Sequence, residues 1–323
     1  MSETITLAGP QPAQGERPGA GRRVSILGVP LSQGGGAAGV DIGPAALRVA
    51  RLNQRVAQLG YEVRDLGDMR VPRVAAPAGD VDEKLRHLPE VAAMCEELAA
   101  EVKNILSAGE IPVTLGGDHS IAIGSISGAA AYARERGETL GLLWFDAHAD
   151  MNTPETTPSG NIHGMPLAAL LGHGAEELTS VAGFSPKIDP RHCVHVGGRD
   201  IDPGERELIR RLGVRFFTMR EIDERGMSAC MDEALAIVSR ATGGYSATLD
   251  IDVMDPTDAP GSGTVVRGGL TYREAHLAME KMAEAGGMRS FEVVEINTAL
   301  DVNNRTAELG VELILSALGK TIL

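Results

Sequence analysis

A chain of 323 residues, 43% hydrophobic and 23% charged, carries ample apolar side chain for a large core and falls in the ordinary range of globular α/β proteins. Its 44 acidic and 30 basic residues leave a formal charge of -14, which repels a nucleic-acid backbone and suits a cationic small molecule. Cys95, Cys193 and Cys230 are too few and too scattered for a disulfide framework or a Cys-rich zinc site, pointing to a cytoplasmic setting, and the lack of a run of about 18 apolar residues argues against a membrane helix.

Residues 1–21 are rich in Gly, Pro and Gln with no apolar stretch, so they read as a disordered tail rather than a signal peptide, leaving 22–323 as a single domain. From residue 24 onward, short apolar β-branched runs alternate with stretches of helical period. Strands are predicted at 24–30, 61–67, 111–116, 141–146, 193–197, 214–218, 246–251 and 291–296. Helices are predicted at 84–108, 119–135, 204–212, 221–240, 271–285 and 305–319. Several strands are apolar at consecutive positions, as strands buried on both faces are, so the expected fold is a three-layer α/β/α sandwich around an eight-stranded parallel sheet. Eight βα units suit a TIM barrel equally well, and counting them does not separate the two.

The chemistry gathers at three predicted strand ends. In WFDAHAD, residues 144–150, an apolar strand runs into Asp146, His148 and Asp150 at alternate positions, a spacing that can turn all three to one side. LDID sets Asp250 and Asp252 two residues apart, and two carboxylates on one face repel unless a cation lies between them. LGGDHS lets the chain turn closely at Gly116 and Gly117 before His119 opens the next helix. Taken singly, WFDAHAD has a solvated strand terminus as its lesser alternative, and His119 reads equally as a helix start or a ligand. Together they offer six oxygen or nitrogen donors and no thiolate, a set for two hard or borderline divalent ions; Mn²⁺ leads, with Mg, Fe, Co and Zn left open. Two such ions sharing carboxylates generate a hydroxide nucleophile at neutral pH, so the inferred chemistry is metal-assisted hydrolysis.

GGDHS at 116–120, DAHAD at 146–150, SGNIHG at 159–164 and DIDVMDP with APGSGT at 250–264 together resemble the arginase, or ureohydrolase, family. Further likeness runs from GVDIGPAALR at 39–48 through GGRDIDPGE at 197–205 to VVEIN at 293–297, covering nearly everything after the tail. The resemblance implies the sandwich rather than the barrel, with two Mn²⁺ per subunit at the C-terminal edge of the sheet. One ion would be held by His119, Asp146, Asp150 and Asp250, the other by Asp146, His148, Asp250 and Asp252, with Asp146 and Asp250 bridging. It further implies hydrolysis of L-arginine to L-ornithine and urea by a metal-bridging hydroxide, with Asp150 and Glu295 among the catalytic groups and His163 as proton shuttle. Glu295 would pair with the substrate guanidinium, and Thr264 would line its site. Just after Glu-Ile-Asn the family's usual Pro is replaced by Thr298, which bears on the shape of that loop.

Members of the family act on arginine, agmatine, guanidino acids or formiminoglutamate, so the recognition loops must discriminate. Asn152, Thr157, Ser159 and Asn161 resemble the arginase set that hydrogen-bonds an α-carboxylate. Asp202 resembles the residue that meets an α-ammonium, with Glu205 acting through water. Such a site rejects agmatine, whose missing carboxylate would leave buried donors unpaired. APGSGT is shared with agmatinases. GGLTYREAHLAME and ELILSALGKTIL bring the likeness nearest to bacterial arginases, which implies a homo-oligomer, trimer or hexamer. The alternatives are an agmatinase or another guanidino-compound hydrolase and, outside enzymes, a metal-stabilised scaffold or pseudoenzyme.

Overall fold

The computed structural model describes residues 17–36, 38–71 and 83–321. Most of the expected tail, residues 1–16, lies outside the described residues. Residues 17–21, counted with it from the sequence, pack against the fold: the Gly19 N–H donates to the Leu59 carbonyl at 3.0 Å.

Eight strands form one sheet: β1 Arg23–Val29, β2 Glu62–Asp68, β3 Ile111–Gly116, β4 Gly141–Phe145, β5 Cys193–Gly198, β6 Arg215–Thr218, β7 Tyr245–Asp250 and β8 Met288–Val294. Their order is β2-β1-β3-β8-β7-β4-β5-β6 and every pairing is parallel. The sheet is open, with β2 and β6 at its edges, so the sandwich holds and the barrel does not.

The helices are α1 Gly43–Val49, α2 Leu52–Gln58, α3 Leu88–Ser107, α4 Ala122–Glu135, α5 Pro166–Leu170, α6 Glu176–Thr179, α7 Pro203–Leu212, α8 Met219–Arg225, α9 Met227–Val238, α10 Tyr272–Ala285 and α11 Arg305–Ala317. Strand β4 shows why two layers of them are needed. All five of its residues are buried: Leu142 and Trp144 enter the core formed with α3, α4 and α5, while Leu143 and Phe145 enter the opposite core with α9, α10 and α11.

Helical expectations differ from the structure where backbone conformation interrupts an apolar pattern. The helix expected over 221–240 is broken at Gly226, whose φ of 81° and ψ of 147° cannot continue a helix, giving α8 and α9. His87 takes a φ of 59° and delays α3 to Leu88. The short helices α1, α2, α5 and α6 were not expected, because at most seven residues hold too few turns to show a period. No helix among the described residues is long and apolar enough to cross a membrane.

Strands β3, β8, β7 and β4 are consecutive in the sheet, with β5 beside β4. The loops after them therefore open onto one crevice at the carboxyl ends of the strands, where open α/β sheets hold ligands.

Candidate metal centre and substrate pocket

Strand β4 ends at Phe145, so Asp146, His148 and Asp150 belong to the following loop and not to the pleat. The period-two argument for their convergence is corrected accordingly: turns bring them together. Asp146 Oδ1 accepts from the His148 N–H at 2.7 Å, and Asp150 takes a left-handed φ of 53°, a conformation non-glycine residues adopt at some energetic cost. At the end of β7, Asp250 Oδ1 accepts the Asp252 N–H at 2.8 Å, opening the 3₁₀ turn Ile251–Val253. His119 starts the turn His119–Ile121 after β3.

His119 Nδ1 faces Asp146 Oδ2 at 3.2 Å, Asp150 Oδ2 at 3.0 Å and Asp250 Oδ2 at 3.3 Å. His148 Nδ1 faces Asp252 Oδ2 at 3.0 Å and Asp146 Oδ1 at 3.5 Å. Two clusters result, His119 with Asp146 and Asp250, and Asp146 with His148 and Asp252, each with its donor atoms within 4.8 Å of one another. Asp146 offers one oxygen to each. Asp250, expected to bridge in the same way, has Oδ2 in the first cluster while Oδ1 holds the Asp252 backbone.

Four buried carboxylates crowd two imidazoles here. Burial, then Asp252 and Asp146, raise Asp250; burial and Asp146 push Asp150 up to about 7 and also raise Asp252. His119 and His148 are raised against the pull of burial, the first by Asp146, Asp150 and Asp250, the second by Asp146 and Asp252. His119 Nδ1 and Asp150 Oδ2, both buried, face each other at 3.0 Å without hydrogen-bond geometry, and among the described residues neither has another hydrogen-bond partner. Converging anionic oxygens, orphaned donor atoms and the absence of a nearby thiolate make a donor set that fits divalent cations.

Above the clusters lies a cavity of about 180 Å³. It is lined by His119, His148, Asp150 and Asp250 together with Asn152, Thr157, Ser159, Asn161, His163, Asp202, Glu205 and Thr264. Asp146 and Asp252 sit behind this lining. Asn152 Nδ2 donates to Asp202 Oδ2 at 2.9 Å, so the residues expected to bind opposite charges of one ligand are neighbours. Glu205 accepts the Met151 and Asp202 N–H groups, at 3.0 and 2.8 Å, tying the ligand loop to the start of α7; burial raises it to about 7. Thr264 Oγ1 donates to Asp252 Oδ2 at 3.0 Å. Glu295 lies just past β8 at a φ of 63° and does not line the cavity itself; its Oε1 accepts from the His119 N–H at 2.9 Å and faces His163 Nδ1 at 2.9 Å. Against the effect of burial, Glu295 raises His163 to about 9.

The Arginase family model matches residues 22–319. The arginase of Bacillus caldovelox is 48% identical over 300 residues, 93% of this chain and 99% of the relative. The arginase of Bacillus subtilis (strain 168) is 46% identical over 302 residues, 94% of this chain and 99% of the relative. The solved structure of the Bacillus caldovelox arginase matches with a TM-score of 0.89 at 47% identity, covering 94% of this chain and 100% of that one. This chain belongs to the arginase family. The open parallel sheet, with two His/Asp clusters at its strand ends, is the arginase-like sandwich, and the site is that of a metal-dependent ureohydrolase.

Several supporting residues, two of them inside the arginase-family motifs, went unrecognised in the sequence. Trp144 Nε1 donates to Asp146 Oδ2 at 3.0 Å, His119 Nε2 meets Thr248 Oγ1 at 2.9 Å, and His195 Nε2 meets the His148 carbonyl at 2.6 Å. These contacts orient the donors. They come from strand interiors, where pattern marks only core. Arg199, in GGRDIDPGE, donates to the carbonyls of Gly197, Asp252, Val253, Met254 and Val266, locking the loop behind Asp252. Asp118, inside GGDHS, accepts from the Gly34 and Gly35 N–H groups at 2.8 and 3.2 Å and holds the 32–36 loop over His163. Its motif was a usable signal.

Proposed function

We propose that residues 22–323 form one catalytic domain that hydrolyses L-arginine to L-ornithine and urea at a binuclear manganese centre. The observation that carries this reading is a floor of two clusters joined by Asp146, with the Asn152–Asp202 pair on the wall above. His119, Asp146, Asp150 and Asp250 would hold one ion, and Asp146, His148, Asp250 and Asp252 the other. When bound, the ion pair supplies a hydrolytic nucleophile at neutral pH.

The chain's own groups bind, orient and move protons. Asn152, Thr157, Ser159 and Asn161 offer amide and hydroxyl groups to an α-carboxylate, while Asp202, and Glu205 through water, take the α-ammonium. Thr264 steadies Asp252 beside the reacting end. The Glu295 carboxylate keeps His163 protonated at neutral pH, so its imidazolium can deliver a proton to the departing amine of ornithine, which otherwise leaves poorly. Although Glu295 does not line the cavity itself, its carboxylate would add negative charge behind His163 toward a guanidinium. The N,O-only donor set supports manganese, and three free buried thiols, Cys95, Cys193 and Cys230, support a cytoplasmic setting. The motif resemblance to bacterial arginases is the ground for proposing a trimer or hexamer.

Urea release by the Mn²⁺-loaded protein, with L-arginine and agmatine side by side, tests the proposal. Urea from arginine alone is expected. Urea from agmatine alone would retain the metal chemistry and reject the head-group assignment, and none from either would leave a scaffold or another guanidino substrate.

A further inference from the structure

We propose that Thr156 is a positioning residue for substrate selection: its hydroxyl sets which way the Asn152 amide faces, and thereby the preference for guanidino substrates that carry an α-carboxylate. The inference rests on the assignment of Asn152 to that carboxylate.

An amide is nearly symmetric in shape but not in chemistry. Flipped, Asn152 would turn its oxygen where its NH₂ now stands and repel an anion. The polarity is set by a chain of hydrogen bonds that starts at a group with no choice. The Thr153 N–H can only donate, and it does so to Thr156 Oγ1 at 2.9 Å. The hydroxyl then has one proton to place; Asn152 Oδ1 lies at 3.0 Å and the Thr153 carbonyl at 3.5 Å, so the shorter contact takes it. With Oδ1 fixed, Nδ2 donates to Asp202 Oδ2 at 2.9 Å. A flipped amide would set oxygen against oxygen at Asp202 and, at the other end, leave the Thr156 proton only the 3.5 Å contact, so both ends favour the same orientation. Nδ2 keeps a second N–H for a partner in the cavity that Asn152 lines.

Thr156 is itself held by shape. A Cβ on Gly204, the second residue of α7, would lie 2.6 Å from Thr156 Cβ and 2.7 Å from its Cγ2. The absence of a side chain there lets the loop after β4 close on the helix that carries Asp202. The carboxylate and ammonium sides of the pocket are thus keyed to each other at Thr156 and Gly204, outside the set of residues that touch the ligand.

The test uses the full Mn²⁺-loaded chain as wild type, Thr156→Val and Thr156→Ser, measuring kcat and KM for L-arginine, the inhibition constant of agmatine, and Tm. Valine keeps the contact with Gly204 and removes the hydroxyl; serine restores it. In Thr156→Val the KM for arginine should rise about three- to tenfold, the worth of one hydrogen bond, with kcat, agmatine inhibition and Tm little changed, and Thr156→Ser should recover the wild-type KM. An active wild type whose KM is unmoved by Thr156→Val overturns the role of Thr156 alone. Equal weakening toward arginine and agmatine with a lowered Tm also overturns it, leaving a merely structural residue. A wild type that releases no urea from arginine rejects the proposed function, and this inference with it.

Discussion

Gly117→Ala probes how closely the fold must pack to deliver His119. A Cβ at residue 117 would sit 1.8 Å from the Leu31 carbonyl oxygen and 2.7 Å from Leu31 C and N, all of them backbone atoms that no rotamer change can move. Carbon–oxygen contacts settle near ~3.3 Å, so the segments after β1 and β3 must separate by about 1.5 Å. Three backbone hydrogen bonds cross that point: Gly117 N–H to Val29, Asp118 N–H to Leu31, and Glu295 N–H to the Gly117 carbonyl, at 2.9, 2.8 and 2.8 Å. At about 1 kcal/mol for each of the three, and with about 1–3 kcal/mol of overpacking strain added, the substitution should cost about 4–6 kcal/mol and lower Tm by about 5–10 °C. Because Asp118 and His119 follow directly, and the Glu295 N–H is anchored there, bound metal should fall as well. Thermal unfolding followed by circular dichroism, with metal content determined after gel filtration, reads both effects. A Tm within a degree or so of wild type together with a full metal complement would refute the close-approach argument.

Three other outcomes follow from the site. His163→Ala should keep its metal and lose about 10²- to 10⁴-fold in turnover at neutral pH, since a proton donor is removed without touching a donor to the clusters; unchanged kcat would exclude the proton-delivery role. Asp252→Ala should bind fewer ions, measurable by atomic absorption, because it removes the oxygen 3.0 Å from His148 Nδ1; two ions per chain in that variant would remove Asp252 from the ligand set. His195 is fully buried, its Nδ1 has no partner among the described residues, and burial pushes it down to about 4. Its folded pKa lies below the unfolded value, so its contribution is complete above about pH 6.5 and is lost as pH falls toward 4, amounting to about 3 kcal/mol. Denaturant unfolding of metal-free wild type and His195→Gln across that range should show a shallower pH dependence in the variant, and parallel curves would contradict the assignment.

The six inner strands could be read from apolar runs, because a strand buried on both faces carries its signal in consecutive residues such as Leu142, Leu143, Trp144 and Phe145, whereas the edge strands β2 and β6 are largely unburied and carry it weakly. The types and spacing of the candidate metal donors were equally plain, since Asp146, His148 and Asp150, and Asp250 with Asp252, stand close together in the chain. Geometry was not. Which carboxylate oxygen meets which imidazole depends on the left-handed turn at Asp150 and on the bond from the Asp252 N–H to Asp250, both imposed by loops held from elsewhere. The contact of His163 with Glu295 joins residues far apart in sequence, and His195, Thr248 and Arg199 support the site from positions whose local pattern speaks only of packing or turns. Local sequence determined the elements and the donor chemistry because propensity and residue type act over a few residues. The arrangement of the donors came from the tertiary structure, because the strand order β3-β8-β7-β4-β5 sets loops from distant parts of the chain side by side, and only there do burial and mutual repulsion act on them together.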